Sequence, residues 1–229
     1  MPFSLLRKAQ ILLLLVAVAL AQTDKKPSDE APGWLKALTV KDFKVPVDQG
    51  KFSASSLSRV QRDRIAGALK IPLQGQIEDY PDNNPVTNEP VQPGDDETSR
   101  VAARQQLLDR SEILDLGELR AGLHLYVIRV ESMACGAQGA NCPAFILEAS
   151  QNQARYLGSA GGWGVAAHAV AGDPYPVLVF AWRMSATDNS LNVMRYGSTG
   201  YLGWLCGDLT SDDGWKTSKI EAHSCRDDH

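Results

Sequence analysis

Two short stretches of this chain carry apolar side chains on both alternating faces, and they limit its possible folds more than any other feature. In Leu123–Val130, Leu123, Leu125 and Val127 point one way, and Tyr126, Ile128 and Val130 point the other. In Val177–Trp182, Val177, Val179 and Ala181 oppose Leu178, Phe180 and Trp182. A strand that is apolar on both faces belongs inside a sheet covered on both sides. A single layer with one face in water is therefore excluded, and the cover must come from a second sheet or from helices.

Both stretches belong to a longer series. Ile113–Leu116, Leu123–Glu131, Ala144–Ala149, Ala154–Gly158, Trp163–Val170, Val177–Trp182, Leu191–Tyr196 and Tyr201–Cys206 are short apolar runs. Segments rich in Gly, Asn, Asp and Ser separate them, at 116–122, 150–153, 171–174, 186–190 and 197–200. Short strands joined by short turns predict an α+β, mainly β fold, an antiparallel meander of about seven or eight strands, sandwich-like or propeller-blade-like. One or two N-terminal helices complete it.

Residues 34–73 form an N-terminal strand/helix segment. The apolar pieces between Trp34 and Val47 suggest one or two weak strands. Ser58-Arg-Val-Gln61 fits a capping box, and Val60, Ile65, Ala68 and Leu69 share one side of a helical wheel, so a helix is expected near 58–70, ending before Pro72. Residues 74–97 contain Pro81, Pro85, Pro90 and Pro93, many carboxylates and no Lys or Arg. They read as an acidic linker or excursion rather than as a calcium loop at Asp79, Asp82, Asn83 and Asn84, because the ligand order and glycine of an EF-hand are missing. A helix at Thr98–Leu108 then leads into a disulfide-stapled β domain spanning 98–229.

The first residues carry an address. Arg7-Lys8 precedes the apolar run Ile11–Leu20, and Ala19-Leu20-Ala21 offers the small residues of a cleavage site. Together these predict a signal peptide over 1–21, cleaved after Ala21, and ten apolar residues fall well short of the roughly twenty that a membrane helix needs. The expected product is secreted or periplasmic, with no membrane span and a flexible leader at 22–33. Losing Arg7 and Lys8 makes its formal charge two units more negative than the −4 of the whole chain. That balance removes the electrostatic case for nucleic-acid binding.

Export also determines how the four cysteines are read. Cys135, Cys142, Cys206 and Cys225 all lie in the second half. An even count in an oxidising compartment favours two disulfides, and of the three connectivities, proximity favours Cys135–Cys142 and Cys206–Cys225. Loop-closure entropy assigns them about 2.5 and about 3.3 kcal/mol. The spacing suits no zinc knuckle, so no metal is expected.

Catalytic motifs are missing. Gly158-Ser159-Ala160-Gly161 and Gly197-Ser198-Thr199-Gly200 lack the first glycine of a nucleophile elbow. Gly162-Trp163-Gly164-Val165-Ala166-Ala167 matches a dinucleotide fingerprint in letters only, since it sits in a meander and not in a βαβ unit. No cofactor is expected. Asp208–Gly214 fails as an EF-hand, with Asp213 in the glycine position. Aromatic residues do concentrate late in the chain, and Tyr175, Tyr201 and Trp215 flank turns where rings can offer a contact surface.

The segment Cys135-Gly136-Ala-Gln-Gly139-Ala-Asn141-Cys142-Pro143, following the Tyr126–Glu131 strand, resembles the disulfide hairpin of a group of uncharacterised exported bacterial β-rich proteins. The run Tyr175–Ser185 with the strand ending at Tyr196 resembles a strand pair of the same group. The resemblance implies a small exported β-rich module and carries no catalytic residue.

These features favour an exported, non-catalytic binding module that recognises a protein or glycan in or outside the cell envelope. The alternative is an exported hydrolase with an acid/base pair drawn from Glu148, Asp173, Asp188 and His168 on or beside turns, since glycoside hydrolysis needs only two suitably spaced carboxylates. Non-reducing peptide mapping is expected to recover Cys135 linked to Cys142 and Cys206 linked to Cys225. A link between the early and late pairs, or four free thiols, contradicts that assignment.

Overall fold

The computed structural model describes residues 32–46, 50–78, 97–131, 135, 140–211 and 218–225. The signal peptide, residues 22–31 of the leader, the acidic stretch 79–96 and Trp215 lie outside the described residues.

The described strands are all antiparallel and form two sheets. The first is β1 (Glu112–Arg120), β2 (Leu123–Arg129), β3 (Cys142–Ala149) and β4 (Ala154–Gly162), in chain order. The second is β5 (Gly164–His168), β6 (Val177–Arg183), β7 (Asp188–Tyr196), β8 (Tyr201–Ser211) and β9 (Ser218–His223), again in chain order. The sheets pack face to face, Leu114, Leu125, Val127, Ala144, Ile146 and Leu157 against Val165, Leu178, Phe180, Met194 and Tyr201. This is the sandwich form of the expected meander.

The doubly apolar strands occupy the places their patterning requires. Leu125 and Val127 of β2 face the other sheet, whereas Tyr126 and Ile128 face outward to Ile65, Leu69, Leu73, Leu107 and Leu108. Those residues come from three helices, α2 (Arg59–Ala68), α3 (Lys70–Glu78) and α4 (Glu97–Arg110), and from Leu69 between the first two. In β6, Leu178 and Phe180 face inward, and Val177, Val179 and Ala181 face outward to Leu35 and Phe43. The molecule thus stacks helices, sheet, sheet and an N-terminal strap.

The strap differs from expectation. Trp34–Val47 holds no paired strand among its described residues, but a one-turn helix α1 (Gly33–Lys36) and a 3₁₀ turn at Val40–Asp42, with Lys44 bridging Val165. Thr39 and Asp42 cap that turn reciprocally, so local side-chain bonds replace a ladder. Pro72 also behaves differently. Leu69 interrupts the helix, and Pro72 falls in the first turn of α3, where its missing N–H has no intrahelical partner to lose. Residues 74–78 therefore extend that helix. The expected turn at 116–122 shrinks to Ala121-Gly122, because β1 runs on to Arg120 through two bulges. The edge strand β9 escaped the sequence reading because Lys219, Glu221 and His223 break its apolar run.

Both expected disulfides are present, Cys135–Cys142 and Cys206–Cys225. The second ties the end of β9 to β8, next to the Cys206–His223 register pair. No described helix is long and apolar enough to cross a membrane.

The chain changes sheets within Gly162-Trp163-Gly164. Gly162 has φ 142°, and a Cβ there would overlap the carbonyl oxygen of Ala181. Gly162→Ala is expected to destabilise the fold by about 3 kcal/mol through backbone strain and overpacking together, measured by denaturant unfolding.

Candidate functional site

Apart from the Lys51–Glu112–Arg129–Glu131 ion pairs beside β1 and β2, two polar clusters among the described residues sit where a ligand or a reaction could be accommodated. The first closes one end of the layer between the sheets. Glu148 of β3 points into that layer and is 3% exposed. Its register partner Arg155 donates from Nε to Oε1 at 2.8 Å, and the Tyr175 hydroxyl donates to Oε2 at 2.5 Å. Arg155 also donates to the hydroxyls of Tyr175 and Tyr196, each at 3.0 Å. The Tyr175 and Tyr196 rings stack at 3.8 Å, Tyr201 meets both edge-on, and the Tyr201 hydroxyl donates to the Pro176 carbonyl at 2.9 Å.

The electrostatics follow from this geometry. Burial first, and then the hydrogen bond and charge of Glu148, push the Tyr175 phenol up to about 12. Burial raises Tyr201 further still, and the Glu148 hydrogen bond holds Arg155 firmly protonated. Glu148 is thus a satisfied carboxylate with a fixed cation and a fixed phenol.

The residues proposed as a contact surface fare unequally. Tyr175 is half-buried and stacked, whereas Tyr201 is 4% exposed and works as packing. The sequence placed Tyr201 at a turn, but its ring enters the layer between the sheets, where it meets Leu157 and Met194. The acid/base candidates are each engaged by a different partner. Asp173 is paired with Arg195 at 2.9 Å, and His168 stacks on Trp34 at 4.1 Å. Asp188 accepts from Ser185 Oγ at 2.7 Å at the start of β7. Tyr196 ends β7, so roughly 26 Å of extended strand separates Asp188 from the Glu148 cluster. Among the described residues no group of three or more His, Cys, Asp or Glu could hold a metal.

The second place lies on the outer face of the second sheet, where the strap ends. A cleft of about 290 Å³ opens between Val40, Trp163, Arg183 and Asn189. Each wall is held by local structure. The capped 3₁₀ turn presents Val40. Trp163, at the crossover, donates its backbone N–H to Ala181 at 2.9 Å and its indole N–H to Asn189 Oδ1 at 2.8 Å. Arg183 and Asn189 are register partners at the turn end of the β6–β7 hairpin. Asn141, 1% exposed, clamps the Arg183 backbone: its Oδ1 accepts the Arg183 N–H, and its Nδ2 donates to the Arg183 carbonyl, both at 2.7 Å.

Sequence reading passed over Val40, Arg183 and Asn189, which form no motif. The only available signal was a Trp between two glycines at a strand junction. No protein family, curated protein or solved structure matches this chain.

The phenol cluster has a measurable consequence. A phenol whose pKa is raised on folding adds stability that is complete below its unfolded value near 10 and lost as pH climbs through its folded value. Near-ultraviolet titration is therefore expected to show Tyr175, with Tyr126, whose phenol burial and Asp115 raise to about 12, ionising late. Tyr175→Phe is expected to remove one late-titrating phenol and to weaken the loss of stability between pH 10 and about 12.

Proposed function

We propose that this chain is an exported binding module without catalytic chemistry, recognising a protein or glycan partner in or outside the cell envelope. The observation that carries this reading is the contrast between the two polar places. In the inter-sheet cluster every functional group of Glu148, Arg155 and Tyr175 is engaged by another side chain, which suits a structural plug and not a turnover site. The cleft is open, and it joins an indole, an exposed guanidinium and an apolar wall. Trp and Arg are the residue types that most often dominate binding energy at interfaces.

The two disulfides support residence in an oxidising compartment, and the signal-peptide pattern of residues 1–21 supports export. The resemblance of the Cys135–Cys142 hairpin to exported bacterial β-rich proteins points the same way.

Affinity capture with oxidised residues 22–229, from the native envelope fraction and from the medium, is expected to retain a saturable partner that free protein competes away. The same preparation is expected to leave ester, peptide and glycoside substrates unchanged. Turnover that Glu148→Gln, Asp173→Asn or Asp188→Asn abolishes in folded protein would overturn the reading in favour of a hydrolase.

A further inference from the structure

We propose that the Trp163–Arg183–Asn189 cleft binds a carboxylate carried on a compact apolar body. The inference rests on the reading of the chain as a binding module and adds the chemistry of what it binds.

Among the described residues that line the cleft, the side chains with a spare hydrogen-bonding group are donors. Arg183 is exposed and donates from Nε to the Ser185 carbonyl at 3.3 Å, and its two terminal nitrogens meet no acceptor among the described residues. Those nitrogens form the planar fork that matches the two oxygens of a carboxylate. Asn189 is 2% exposed, and its Nδ2 also has no partner among the described residues. Turning the amide over does not relieve this, because the Trp163 indole can only donate and therefore needs Oδ1 where it is. Asn189 lines the cleft, and its spare donor lies buried behind that wall. A group that only accepts complements Arg183, the donor that solvent reaches.

The remaining walls select the body of the ligand. Val40 and the Trp163 ring are apolar, and about 290 Å³ lies at the small end of ligand sites. One amino-acid residue or a compact aromatic acid fills that space, and a polysaccharide chain does not. The nearest charge of opposite sign along the chain is Asp188. It follows Thr187 in the turn and adjoins Asn189, but strand alternation directs it to the other face, and Ser185 and Thr187 donate to its Oδ2. Arg183 is also fixed before any ligand arrives. Asn141 holds its backbone, and the next residue, Cys142, is anchored by its disulfide to Cys135.

The carboxylate could belong to a free small acid or to the C-terminal residue of a peptide, and the test separates these. Calorimetry on the oxidised protein would compare phenylacetate with phenylacetamide, and a peptide ending in Phe with its C-terminal amide. At least one free carboxylate is expected to bind, with its amide weaker by about tenfold or more. Arg183→Met, an exposed change that leaves the core intact, is expected to cause a similar loss, while Arg183→Lys retains part of the affinity. Binding by phenylacetate identifies the small-acid source, and binding by the free peptide alone identifies a chain terminus. Equal binding of acid and amide, no binding by either acid, or no loss on Arg183→Met would overturn the proposal. If envelope capture succeeds and Arg183→Met leaves it undiminished, the carboxylate assignment falls while the binding-module reading stands.

Discussion

Strands β2 and β6 have no polar face to turn toward water, and the layering of the molecule follows from that constraint. Each presents one apolar row to the opposing sheet and another outward, and an uncovered outward row would leave large side chains in solvent. Burying one such side chain contributes about 1.5–3 kcal/mol, so covering Tyr126, Ile128 and Val130 on one side, and Val177 and Val179 on the other, repays the ordering of extra chain. The cover differs on the two sides. Among the described residues, three helices lie over the first sheet and a strap with Leu35 and Phe43 lies over the second. A helical layer spans a sheet more completely than a strap does. The cleft opens beside Val40, where that thinner cover gives out.

The ends of the inter-sheet layer pose a separate problem, because a sandwich exposes its core wherever strands stop. The protein closes one end with Glu148, Arg155 and three tyrosines. Removing Arg155 would leave the buried Glu148 carboxylate without its cation, a destabilising change. A fully satisfied set of this kind adds specificity to the packing, since only one register of β3 against β4 places Arg155 opposite Glu148.

Much of this was legible from the residues. The alternation in β2 and β6 gave both faces correctly, and the capping box at Ser58 and Gln61 forms with both reciprocal bonds. The cysteine pairs follow their spacing. Legibility failed where side-chain chemistry replaced backbone periodicity. Thr39 and Asp42 turned an apparent strand into a capped turn, and Leu69 let a helix restart ahead of Pro72. Glu148, Tyr175 and Tyr201 each drew attention separately, as acid or as surface. Their common role depends on Arg155 reaching Tyr196, 41 residues away, a contact that no local pattern announces. The cleft was less legible still, because its four walls come from the strap, the crossover and a hairpin end.

Asn141 joins these levels. Its side-chain amide donates to one backbone group of Arg183 and accepts from another, which is the pattern a neighbouring strand residue would supply. It makes those bonds from the residue preceding β3, so it ties the first sheet to the last residue of β6 in the second. Cys142 and its disulfide limit how far Asn141 can move. The Cys135–Cys142 disulfide, on sequence a simple staple, therefore also acts one residue away. It sets where the second sheet ends, and with it the direction in which the Arg183 guanidinium leaves the fold.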